Sequence, residues 1–225
     1  KILSDIKNDL KSNFRMFRLV QGDVGSGKTI ISLLISANVI NSNLQVAYMA
    51  PTEILTNQQF DLAKNLFKGT GIVVSKLTGK TKNKKQVYEN LLNGKTNFLI
   101  GTHSLFQNKV KFKNLGLIII DEQHKFGVKQ RISLAKKGGE SCDLILMSAT
   151  PIPRSMMMSI YGDMDISRLM EKPKYRKKTI TLIKPEEKIN EIIPFLKKSI
   201  IKGDQIFWIC PLIEESKKIN YSSAI

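Results

Sequence analysis

The stretch "LVQGDVGSGKT" (19–29) constrains this chain more than any other part of it. An apolar strand end runs into three glycines, a lysine and a threonine. Gly22, Gly27, Lys28 and Thr29 fit the G-x-x-x-x-G-K-[ST] pattern. Glycines let the backbone wrap until several N–H groups point at one set of phosphate oxygens. A helix starting near Lys28 adds its positive N-terminal dipole. Such a loop works only between a buried strand and a helix, so it demands an α/β sheet. Gly25, Ser26, Gly27, Lys28 and Thr29 are the candidate phosphate ligands. Lys28 should reach the β and γ phosphates, and the Thr29 hydroxyl should ligate Mg²⁺.

The pattern around the loop agrees. Strand-like apolar runs fall at 17–22, 44–50, 71–77, 97–101, 115–121 and 143–149. Helical stretches at 28–40, 52–67 and 87–94 alternate with them. Alternation of this kind predicts a mostly parallel sheet with helices on both faces, complete by about Thr150. Residues 171–178 ("EKPKYRKK") read as a basic linker. Strand, helix and strand then follow at 179–184, 186–203 and 205–213. These are too few to close a domain, so 1–170 reads as one full domain and 179–225 as the opening of another. The chain starts at Lys1 without a secretory signal and is expected to be an excised piece of a longer protein. Apolar runs such as "LIII" (117–120) are far too short to span a membrane.

Two further features narrow the chemistry. "LGLIIIDEQH" ends a buried strand in Asp121 and Glu122. Phosphoanhydride hydrolysis needs one carboxylate for the metal and another group to orient or deprotonate water, and this pair supplies both. A solvated turn would explain two acids alone, but not beside a phosphate loop in the same sheet. The charge balance of 36 basic to 19 acidic residues, net +17, points to a polyanion, nucleic acid or acidic membrane. A lysine-rich solvated surface is the plain alternative. Ligands of open parallel sheets gather over the carboxyl ends of the strands. There "APTEIL" and "GTHSL" place Thr52 and Thr102, both suited to cap helices and leave N–H groups free for backbone phosphates. Ser148 and Thr150, in "MSATPIPR", stand where they could sense the acidic pair. Cys142 and Cys210 sit in separate apolar contexts, so no disulfide is expected. With His103 and His124 they lack ligand spacing, so no zinc is expected either.

The order of "GSGKT", "APTEIL", "GTH", "DEQH" and "SAT" resembles superfamily-two helicase motors of the DExH type. More narrowly, "IIDEQHKFGVKQR", "ATPIPRS", "YGDMDIS" and "CPLIEES" are similar to the RecG family. The resemblance covers practically the whole chain. It implies a RecA-like P-loop NTPase domain plus the truncated start of a second, and an ATP-dependent helicase or translocase. Its implied partner is branched DNA, such as stalled forks and Holliday junctions in recombination and repair, in the cytoplasm. Lys28 and Glu122 would be catalytic, Thr29 and Asp121 would hold Mg²⁺, and Thr52 and Thr102 would touch DNA. Gln123, His124, Ser148 and Thr150 would couple the nucleotide state to interdomain movement. The transcription-repair coupling translocase, typically with "GFGKT" and "DEEH", is the rival within the class. A nucleic-acid-binding module with a vestigial nucleotide site is the rival outside it. Lys125 stands where arginine is usual, and Ser148 and Ser155 where threonine is. The family's adenine contacts are expected before Lys1 and its arginine motifs after Ile225, leaving this chain nearly inactive alone. Oligomeric state is open, with a monomer as the default.

Overall fold

The computed structural model of the chain describes residues 1–122, 137, 139, 142–150, 164–171 and 179–209. The chain divides into two compact units, Lys1–Arg176 and Lys177–Ile225.

The first unit is built on a seven-stranded sheet. Its strands are β1 (Phe17–Gly22), β2 (Gln45–Met49), β3 (Val74–Leu77), β4 (Phe98–Gly101), β5 (Leu115–Ile120), β6 (Asp143–Ser148) and β7 (Asp165–Leu169). They lie in the order β3-β4-β2-β5-β6-β1-β7, and every pairing is parallel. The helices of this unit are α1 (Ile2–Leu10), α2 (Lys28–Asn41), α3 (Glu53–Leu66) and α4 (Lys84–Leu92). The doubly covered α/β sheet expected from the sequence is present. Because the sheet is covered on both sides, its central strands are apolar throughout, and all six residues of β5 are buried. Alternate side chains supply two cores. Val20, Val46, Tyr48, Ile119 and Met147 face a core shared with Leu33 and Ile35 of α2 and Ala63 of α3. Leu19, Ala47, Met49, Ile118 and Leu146 face the other, with Leu91 of α4 and Leu105.

Buried polar groups in this frame find partners, as they must away from water. Gln45 satisfies its whole amide. Its Nε2 donates to the Leu91 and Thr96 carbonyls at 2.9 and 2.7 Å, and its Oε1 accepts the Lys113 and Asn114 N–H groups at 2.8 and 3.0 Å. Within α2, Ser32 and Ser36 return their hydroxyls to the carbonyls of Thr29 and Ser32, both at 2.7 Å.

Two elements exceed the sequence reading: α1 and the edge strand β7. Both hang on Arg18 of β1. Its Nε donates to Asp9 Oδ2 of α1 at 2.6 Å, and its Nη1 to Ser167 Oγ of β7 at 2.8 Å. In the second unit the described residues hold a 3₁₀ turn at Glu186–Lys188 and the helix α5 (Ile189–Ile201). The strands expected at 179–184 and 205–213 are a correction: neither 179–184 nor 205–209 is strand. An extended segment becomes a strand only by pairing, and no partner strand lies among the described residues of this unit. Ile183, Phe207 and Ile209 are accordingly 96, 85 and 88% exposed.

Candidate nucleotide-binding site

Chain direction places the carboxyl ends of β1, β2, β4, β5 and β6 on one edge of the sheet. At the end of β1 the loop turns through Gly25 and Gly27, with φ of 78° and 95°. Gly27 caps α2 in the left-handed region, with no atom near the place of a Cβ. Its constraint is therefore dihedral. Gly22 is held for the opposite reason. A Cβ there would lie 2.5 Å from Ser26 Oγ and 2.7 Å from the Leu169 Cβ. The loop needs a bare backbone at both places.

Lys28 is buried, and its ammonium donates to the carbonyls of Gly22 at 2.6 Å and Asp23 at 3.1 Å. It thus pins the loop from within. Thr29 follows on the first turn of α2, where Gln59 Nε2 of α3 donates to its Oγ1 at 3.5 Å. Across the pocket, β5 delivers the acidic pair. Asp121 Oδ2 accepts from the Tyr48 hydroxyl at 3.0 Å, and Oδ1 accepts the Glu122 N–H at 2.9 Å. Burial raises the Asp121 carboxyl above its usual range, against the lowering effects of the Tyr48 hydrogen bond and the Lys28 charge. Glu122 has φ of 46°, an uncommon conformation for a residue with a side chain. Its Oε2 accepts the Ala149 N–H at 3.4 Å, which ties the acidic pair to the end of β6. There Ser148 Oγ stands 3.1 Å from both oxygens of Thr150, and the Thr150 carbonyl accepts from Gln21 Nε2 at 3.0 Å.

Gly25, Gly27, Lys28, Thr29, Asp121 and Glu122 line one pocket of about 370 Å³, with Leu55 and Gln59 of α3. The residue types fit magnesium. Thr29 and Asp121 offer hard oxygen ligands, and the metal commonly takes only one or two carboxylates plus phosphates. Gln59 Oε1, on the wall of this pocket, is buried without a hydrogen-bond partner among the described residues, as is Ser26 Oγ in the loop.

The other candidates divide. Thr52 caps α3, its Oγ1 accepting the Leu55 N–H at 3.2 Å. Thr102 is a correction. It precedes a four-residue 3₁₀ turn, His103–Phe106, and its side chain makes no capping bond. Its carbonyl instead accepts the Leu105 N–H at 3.1 Å, because so short a turn closes on the backbone alone. Gln123 and His124 lie outside the described residues, as do Lys125, Ser155 and Cys210. Cys142 is buried, its thiol pushed up to about 12 by desolvation and so protonated. Sequence reasoning missed Tyr48, Gln59, Gln21 and Ala149. Gln59 had a signal, standing four residues after Leu55 on one face of α3. The others are hidden in apolar strands or are backbone donors.

A glycine loop and an acidic pair at the carboxyl edge of one parallel sheet define an α/β domain of the P-loop class. The sequence profile described as DEAD/DEAH box helicase matches residues 5–159, and the chain belongs to that family. Within it, the chain is similar to proteins named ATP-dependent DNA helicase RecG. The one from Aquifex aeolicus is 46% identical over 100% of this chain and 29% of its own length. The one from Thermotoga maritima is 45% identical over 98% of this chain and 28% of its own. A solved structure of RecG bound to a three-way DNA junction matches 91% of this chain and 27% of its own at 40% identity, with a TM-score of 0.77. The chain therefore spans less than a third of the length of these relatives. No helix among the described residues is long and apolar enough to cross a membrane.

Proposed function

We propose that this chain is the ATP-binding motor of a RecG-type helicase that remodels branched DNA such as stalled forks and Holliday junctions. Residues 1–170 form the first motor domain, 171–178 a linker, and 179–225 the opening of the second. The observation that carries the reading is the convergence of Lys28, Thr29, Asp121 and Glu122 on one pocket beside a glycine loop. Gly25, Ser26 and Gly27 cradle the phosphates, and Lys28 turns from its loop carbonyls to neutralise them. Thr29 and Asp121 hold Mg²⁺, which supplies positive charge against the phosphate oxygens. Glu122 orients or deprotonates the attacking water. Its bond to Ala149 gives it a line to Ser148 and Thr150, which with Gln123 and His124 couple the nucleotide to domain movement.

Thr52 and Thr102, ending neighbouring strands, touch the DNA backbone. Support for DNA as the partner comes from the net charge of +17 and from the junction held by the similar RecG structure. A motor that works on DNA belongs in the cytoplasm, and two cysteines in the whole chain suit a reducing compartment.

Calorimetry of Mg-ADP binding tests the site. We predict that Lys28→Ala abolishes the binding without unfolding the sheet. Equal affinity in the variant would remove the loop from the nucleotide site.

A further inference from the structure

One of the two candidate magnesium ligands is held by a residue that belongs to no nucleotide motif. Tyr48 is the fourth of the five residues of β2 and is 0% exposed. Its hydroxyl donates to Asp121 Oδ2 at 3.0 Å. Behind Thr29, Gln59 Nε2 donates to its Oγ1 in a long bond of 3.5 Å.

Direction matters for a metal. A hydroxyl ligates a cation through an oxygen lone pair, so its proton has to point elsewhere. On Thr29 the Gln59 amide already takes one side of Oγ1. Asp121 has one oxygen on the phenol and the other on the Glu122 N–H, so its carboxylate plane is fixed from both sides. The phenol itself is a fixed point. Its ring packs against Phe98 at 6.2 Å between centroids, and Phe98 packs edge-on against Phe67 at 5.8 Å. Such outer partners, holding ligands rather than the metal, commonly decide affinity.

We propose that Tyr48, with Gln59 behind Thr29, is a positioning residue for magnesium. Its hydroxyl holds the Asp121 carboxylate in place on the pocket it shares with Thr29, before the cation arrives. The inference rests on the reading of Thr29 and Asp121 as the metal's ligands. It is tested by calorimetric titration of this chain with ADP across a magnesium series. Tyr48→Phe removes one oxygen and nothing else. It should raise the magnesium concentration for half-saturation on the order of tenfold. ADP affinity without magnesium should stay near wild type. An unchanged magnesium requirement, or an equal loss of ADP affinity with and without magnesium, overturns the proposal. Should Tyr48→Phe not fold, Gln59→Leu on the half-buried face of α3 should show the same shift in smaller degree, and no shift there overturns it equally. Asp121→Asn separates the two readings. If it keeps the full magnesium dependence, the ligand assignment falls and the inference with it. If it loses that dependence while Tyr48→Phe keeps it, only the inference falls.

Discussion

At the scale of single residues the site stores its function as local cost. Asp121 is 7% exposed, and burial raises its carboxyl above the ordinary range. A carboxyl with a folded pKa above its unfolded value binds its proton more tightly when folded. Stability therefore falls as pH rises from the unfolded value, about 3.9, through the folded one, and the full penalty remains above that. The penalty has no structural purpose; a cation bound between Asp121 and Thr29 would offset it. Asparagine imitates the protonated acid. We predict that Asp121→Asn, without nucleotide or metal, melts above wild type at neutral pH. The difference should vanish below about pH 4. Thermal melts across that range check it, and a variant less stable at pH 7 would show that the ionised carboxylate is structurally needed.

At the scale of elements, one guanidinium clasps the first helix and the edge strand β7 to the sheet. Arg18 is 8% exposed and reaches Asp9 on α1 and Ser167 on β7, with Asp165 3.5 Å away. Arg18→Met keeps the packing stem but leaves Asp9 and Ser167 without their donor. We predict a loss of about 2 kcal/mol, with hydrogen exchange accelerating first at 2–10 and 165–169. Uniform acceleration across the sheet would show that Arg18 is not a local clasp. The same residue explains what could be read beforehand. β1, β2, β5 and β6 announce themselves as apolar runs because parallel strands are buried on both faces. The loop and acidic pair were legible because their spacing is dictated by phosphate and metal. β7 reads "DISRL", polar and short, and its place depends on a contact 149 residues away in sequence. Nothing local encodes that. The opposite error arose at 179–184, where alternating apolar residues looked like a strand but had no described partner. Tyr48 escaped notice because a strand buried on both faces makes any aromatic residue look like packing.

At the scale of the whole molecule, charge decides how DNA binding should respond to salt. Lysines 80, 82, 84 and 85 follow β3 at the same edge as Thr52 and Thr102, within a chain of net charge +17. Each phosphate neutralised releases counterions, so affinity should fall linearly on a logarithmic salt scale. If about six phosphates are engaged, the loss between 50 and 200 mM salt is on the order of 10³. Lys80 is largely solvated, with only Glu53 nearby at 3.4 Å, and Lys80→Ala should lower the slope by about 1. A threonine contact behaves differently, because a hydroxyl displaces no counterion. Thr52 is a poor probe, since removing its Oγ1 also uncaps α3 at a cost of about 1 kcal/mol. Thr102 makes no side-chain cap, so Thr102→Ala should leave the melting temperature alone. We predict that it weakens binding to a junction several-fold, by about 1 kcal/mol, and leaves the salt slope unchanged. Fluorescence anisotropy at several salt concentrations reads both quantities at once. A changed slope would mean that Thr102 acts by displacing the lysines. Unchanged affinity would take this strand end out of the DNA interface.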